Sequence, residues 1–158
     1  MRFRKSITIT FFMLICLLAG FIGSIFTTPA IPTWYAPINK PSFNPPNWIF
    51  APVWTVLFLI MGVSLFLVWE KGWKNKRVKA AIFVFSIQLI LNVLWSIVFF
   101  GLKNPFLAFI DIIALWIFIL MSMIFFYRVS KQASLLLIPY ILWVSFASAL
   151  NLAIVLLN

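Results

Sequence analysis

Long apolar runs alternate along this chain with short polar and basic punctuation. Five runs are long enough to cross a hydrocarbon core of about 30 Å, which takes about 20 helical residues. They cover about residues 6–26, 49–69, 80–101, 105–127 and 133–157. In lipid every backbone N–H and C=O must be satisfied within its own segment, so each run predicts a helix. The pattern predicts an all-α integral membrane protein, a bundle of five transmembrane helices forming a single domain over residues 1–158. Arg2, Arg4 and Lys5 precede the first run, as in a signal peptide. Its apolar core exceeds the roughly 7–15 residues of such a peptide, and four more runs follow, so it reads as a retained helix.

The connector between the first two runs, residues 27–52, differs from the rest. The stretch "PTWYAPINKPSFNPPNWIFAPVW" over residues 32–54 places prolines at 32, 37, 41, 45, 46 and 52 among aromatic rings, with Lys40 as its one charge. Proline fixes φ and lowers the entropy cost of holding one shape. Trp34, Tyr35 and Trp48 suit a membrane interface. Anchoring alone does not call for six prolines, so the segment reads as a preformed lid, with Pro52 in the first turn of the second helix.

Polar residues inside the spans are costly in lipid and face protein or a cavity. At 100° per residue, Gln88, Asn92, Trp95 and Phe99 fall within about 60° on the third helix, flanked by Ser96. Tyr140, Trp143, Ala147 and Asn151 do the same within about 80° on the fifth. Trp54, Phe58, Met61 and Leu65 form a stripe below the lid. Each amide alone also suits interhelical hydrogen bonding. Two aromatic-plus-amide faces beneath an aromatic loop suit a mostly apolar cavity for a flat guest. Asp111 lacks a cationic partner at its depth and reads either as bonded to helix ends or Lys103, or as a cation or proton site. Pro139 removes a donor from the fifth helix. Ala19-xxx-Gly23 and Gly20-xxx-Ser24 form a small-residue seam, within the bundle or between protomers.

Composition narrows the function classes. The chain is 65% hydrophobic and 9% charged, against roughly 25% charged in a soluble domain. The formal charge of +10 does not point to nucleic acid, because the cations sit at the ends of apolar runs, next to lipid headgroups. Ten of the twelve Lys and Arg fall on the side of the N-terminus, the 2–3 connector and the 4–5 connector. That bias predicts a cytoplasmic N-terminus, with the lid and the C-terminus outside. The chain contains no histidine, a lone Cys16, and only Glu70 and Asp111 as carboxylates. Zinc sites, a histidine base and a His-ligated haem are excluded, no metal site is expected, and no cofactor is required.

The loop "WYAPINKPSFNPPNWIFAPVW", together with "LNVLWSIVFFGLKNPFLAFID" and "LLLIPYILWVSFASALN", resembles the TspO/translocator-protein family, also called tryptophan-rich sensory proteins. The resemblance spans about residues 5–157 and departs from the loop signature at Ile38, where the family has Leu. It implies a multi-pass protein of the bacterial cell membrane, a likeness to homodimers, and a pocket opening toward the lid that takes porphyrins such as protoporphyrin IX. Carried over by position, the pocket holds Tyr35, Trp54, Asn92, Trp143, Phe146 and Ala147, and the helical faces add Trp95 and Tyr140 to these ligand contacts. The resemblance also marks Trp54 and Trp143 as candidate catalytic indoles in a light-dependent porphyrin degradation. Transport and ligand sensing are the other activities it suggests. No Lys or Arg follows Tyr140, so sterol recognition of the animal kind is not expected.

Overall fold

A computed structural model describes residues 2–158, with side chains from Lys5 onward. The side chains of Arg2 and Arg4, part of the basic N-terminus, lie outside the described residues. The chain forms α1 (Arg2–Ala30), α2 (Asn47–Trp69), α3 (Lys76–Ser96), α4 (Pro105–Tyr127), α5 (Lys131–Leu136) and α6 (Ile138–Leu157), without strands among the described residues. Helix α1 continues as a π-helical turn through Ile31–Tyr35, and α3 through Ile97–Gly101. Helices α5 and α6 together make the fifth span, so five spans are long and apolar enough to cross a membrane.

The helix boundaries depart from the sequence pattern for physical reasons. Pro29 and Pro32 suggest a break after about residue 26, yet the helix runs on. A π turn hydrogen-bonds i to i−5, which absorbs the mismatch prolines create. The Ala36 amide donates to the Ile31 carbonyl at 2.9 Å, and the Thr33 hydroxyl occupies the Pro29 carbonyl at 2.8 Å. The non-helical lid is therefore only residues 36–46, and Tyr35 belongs to the first helix. Helix α2 starts at Asn47, after Pro46 with φ −55° and ψ 140°. Pro52 thus lies in the second turn, not the first, where it removes a donor from a helix already under way. Helix α3 starts early because the Asn75 side chain accepts from the Arg77 amide at 2.9 Å, a cap that satisfies an otherwise orphaned donor. Pro139 separates α5 from α6 at Leu137.

Packing differs along the bundle axis. At the basic end α1 and α2 touch through backbone: a Cβ on Gly62 would sit 2.4 Å from Met13 Cα. Phe85 and Phe126 stack there at 5.4 Å, both fully buried. The Ser64 hydroxyl donates to the Ala133 carbonyl at 2.7 Å, and Ser134 to Met123 at 2.8 Å, which moors the short α5. Lys5 pairs with Glu70 across the end of the first two helices. Ile7, Phe11, Leu14, Leu18, Phe21 and Ile25 form the exposed stripe of α1, as a helix in hydrocarbon should present.

Candidate functional site

The lid end is built differently. Upper α1, the start of α2, the last turns of α3 and the body of α6 stand around a cavity of about 190 Å³. Small residues stand in its wall. Gly20 faces Phe58, whose ring a Cβ would meet at 2.5 Å, and Gly23 faces Ser96. The glycine seam therefore works inside the bundle, as a cavity wall. Ser24, Thr28, Asn47 and Ala51 line the cavity and are exposed, so its mouth lies between the lid-side ends of α1 and α2.

Six of the eight expected contacts meet here: Tyr35, Trp54, Asn92, Trp95, Trp143 and Ala147 all line the space. Trp95 stacks on Phe99 at 5.0 Å, and its indole N–H donates to Asn151 Oδ1 at 3.0 Å. Asn151 in turn donates to the Pro105 carbonyl at 2.8 Å, which ties α3, α4 and α6 together. Trp54 lies against Phe58 at 5.7 Å. Trp143 packs against Phe50 at 6.1 Å, but its buried indole N–H has no protein partner. A buried donor without a partner costs about 1–3 kcal/mol, so this atom is poised to receive an acceptor.

Two expected contacts lie elsewhere. Tyr140 is fully buried below the cavity, its hydroxyl hydrogen-bonded to Gln88 and Asn92, with its ring edge toward Trp54 at 6.3 Å. Phe146 turns outward. It lines a lipid-facing groove between α2 and α6 with Pro52, Val56, Pro139 and Leu142, and Trp143 is the wall shared by groove and cavity. Asp111 is not among the cavity-lining residues, and its Oδ2 is buried without a hydrogen-bond partner. Lys103 makes no ion pair with it; the ion pair among the described residues is Lys5–Glu70.

The lid is held by polar contacts that no local pattern announces. Asn39 and Asn158 exchange hydrogen bonds: Asn39 N donates to Asn158 Oδ1 at 3.0 Å, and Asn158 Nδ2 donates to the Asn39 carbonyl at 3.0 Å. Tyr35 donates to Asn44 Oδ1 at 2.7 Å. Lys40 lies 4.9 Å over the Tyr35 ring and donates to the Ala36 and Ile38 carbonyls at 2.8 and 3.0 Å. Its charge is spent on the lid itself, and no charged side chain lines the cavity. Phe50, Phe99, Leu150 and Ile154 complete the wall. Leu150 and Ile154 continue the α6 face at helical spacing, the signal by which sequence could have found them.

The geometry defines a class: a multi-pass membrane protein of five spans, with an aromatic, uncharged cavity under a latched loop. The chain belongs to the TspO/MBR family, whose model matches residues 12–157. It is 48% identical over 155 residues to the "Tryptophan-rich protein TspO" of Chlorobaculum tepidum, covering 98% of both chains. It is 52% identical over 147 residues to the protein of the same name from Archaeoglobus fulgidus, covering 92% of this chain and 94% of that one. The human "Translocator protein" is 35% identical over 135 residues, covering 85% and 80%.

Proposed function

We propose that the chain binds porphyrins, protoporphyrin IX among them, in the cavity beneath the lid. The observation that carries this reading is the convergence of Trp54, Trp95 and Trp143 with Asn92 on one uncharged space. Rigid rings lose little freedom on binding, which favours affinity for a flat guest. At about 190 Å³ the cavity is smaller than the roughly 300–1,000 Å³ of sites that enclose a whole ligand. A macrocycle therefore enters by one apolar edge, and its carboxylates stay at the mouth, because nothing inside neutralises them. The lysine and arginine bias supports a lid and mouth on the outer side of a bacterial cell membrane.

The test is a titration of protein in lipid nanodiscs with protoporphyrin IX. Tryptophan fluorescence should quench saturably, and Trp54→Phe/Trp143→Phe should weaken the affinity by roughly tenfold, since each aromatic contact is worth about 0.5–1.5 kcal/mol. Equal affinity in the double variant removes those indoles from the site. The unpaired Trp143 N–H favours a second reading, in which the illuminated porphyrin, with dioxygen as oxidant, is degraded beside Trp54 and Trp143. Bleaching of the bound Soret band no faster than that of free porphyrin counts against it.

A further inference from the structure

The hydrogen-bonding sense of the cavity is decided by a side chain that does not touch it. Gln88, Tyr140 and Asn92 form a buried chain between α3 and α6, with relative exposures of 1%, 0% and 6%. A phenol has one proton to give. Tyr140 gives it to Gln88 Oε1 at 2.8 Å, and must therefore accept from its other neighbour. That neighbour is Asn92, whose Nδ2 donates to the Tyr140 oxygen at 2.8 Å. The remaining Gln88 donor faces Met61 Sδ at 4.0 Å, so Gln88 has its carbonyl toward Tyr140 and its amide toward sulfur. Asn92 lines the cavity, and its Oδ1 accepts from no group among the described residues. Nor is that oxygen one of the buried unpaired atoms, so it is open to the cavity.

We propose that Gln88 is a specificity-determining residue: acting through the Tyr140 hydroxyl, it makes Asn92 present an acceptor beside the donor indoles, and so raises the cavity's affinity for flat apolar molecules that carry an N–H donor. Pyrrole, lactam and carbazole N–H groups are of this chemical class. Among the other lining groups without a side-chain hydrogen bond, the Trp54 and Trp143 indoles are donors whatever their surroundings, and the Ser96 and Thr28 hydroxyls and the Asn47 amide can either donate or accept. Asn92 differs from them in that its sense is set by a bond to Tyr140, and a half-turn of its amide would reverse it. The proposal rests on the cavity being a ligand site and not on the ligand being a porphyrin.

The test compares two three-ring molecules of similar shape, carbazole with an N–H donor and fluorenone with a carbonyl acceptor. Binding is measured calorimetrically on the whole protein in nanodiscs, with empty nanodiscs as reference. The unmodified protein sets the reference ratio, to which the Asn92 acceptor should contribute about tenfold in favour of carbazole, the usual consequence of leaving a buried polar group unpaired in the wrong complex. In Gln88→Leu the Tyr140 proton loses its acceptor and turns to Asn92, the amide flips, and the ratio should move by about tenfold toward fluorenone. In an Asn92→Leu background the same substitution should leave the ratio within about twofold. Tyr140→Phe, which keeps the ring and removes the relay, frees Asn92 to present either sense and should move the ratio toward fluorenone by less than Gln88→Leu does. It serves as the test if Gln88→Leu does not fold. A Gln88→Leu protein that loses affinity for both molecules equally, or keeps its ratio, overturns the proposal and makes Gln88 a packing residue. Saturable porphyrin quenching with neither tricycle bound overturns it too while leaving the porphyrin reading in place.

Discussion

The two ends of this bundle are made of similar residues and do different things with them. At the basic end Gly62 brings two backbones into contact, Phe85 and Phe126 stack, and buried serines are paired with carbonyls. At the lid end Gly20 and Gly23 are equally small and take the Phe58 ring and the Ser96 side chain against them, yet a space lined by rings stays open beside them. The lipid tails surrounding both ends are as apolar as the core, so association rests on packing and hydrogen bonds more than on a hydrophobic drive. An unfilled space is then a direct loss of contacts. On the proposed function, a guest restores those contacts and offers the unpaired indole N–H an acceptor.

The sharpest way to break this comparison is to add one methyl group at each end. Gly62→Ala places Cβ 2.4 Å from the Met13 backbone, which cannot turn aside. It should cost about 3 kcal/mol, the upper part of the overpacking range, read as a lower midpoint in SDS unfolding. Gly20→Ala meets the Phe58 ring at 2.5 Å, a side chain that can swing into the cavity. It should cost less than about 1 kcal/mol in the same assay and weaken porphyrin binding by roughly tenfold. Equal stability losses at the two sites would mean that the lid end is packed as tightly as the basic end.

A smaller effect should follow from loosening the lid. Replacing Pro41, Pro45 and Pro46 together releases fixed φ angles worth about 0.4–1 kcal/mol each. Porphyrin affinity should fall by about threefold to tenfold while the five helices stay folded by circular dichroism. Asn158→Ala removes the exchange with Asn39 and should cost about 1 kcal/mol, seen as faster amide hydrogen exchange over residues 36–46. Unchanged affinity and exchange would return the segment to being an interfacial anchor.

Much of this arrangement is legible in the sequence, and what is not has identifiable causes. The five spans follow from apolar length alone. Trp54, Asn92, Trp95, Trp143 and Ala147 follow from helical spacing. The same spacing misplaces Tyr140, because an arc of about 80° on a helix can include a core contact and a cavity wall at once. Phe146 lies off that arc, and the family resemblance alone puts it in the expected pocket. Tyr140 reads as a ligand contact yet serves as the relay between two amides. The π turns are hidden because Pro29 and Pro32 signal a stop. The Asn39–Asn158 latch joins residues 119 apart, a separation at which no local pattern operates.

The smallest effect tests the contrast between two indoles on facing helices. Trp95 is pinned by Asn151, whereas Trp143 is held by ring contacts alone. Asn151→Leu removes both the Trp95 bond and the tie to the Pro105 carbonyl. Polar bonds between membrane helices average about 0.6 kcal/mol, so stability should fall by about 1 kcal/mol. The informative readout is motion. Released from Asn151, Trp95 should lose fluorescence anisotropy toward the value of Trp143, each compared in a variant keeping only that indole. If Trp143 is already as immobile as Trp95 in the unliganded protein, ring packing alone holds it, and its free N–H is a fixed donor that does not adjust to the guest.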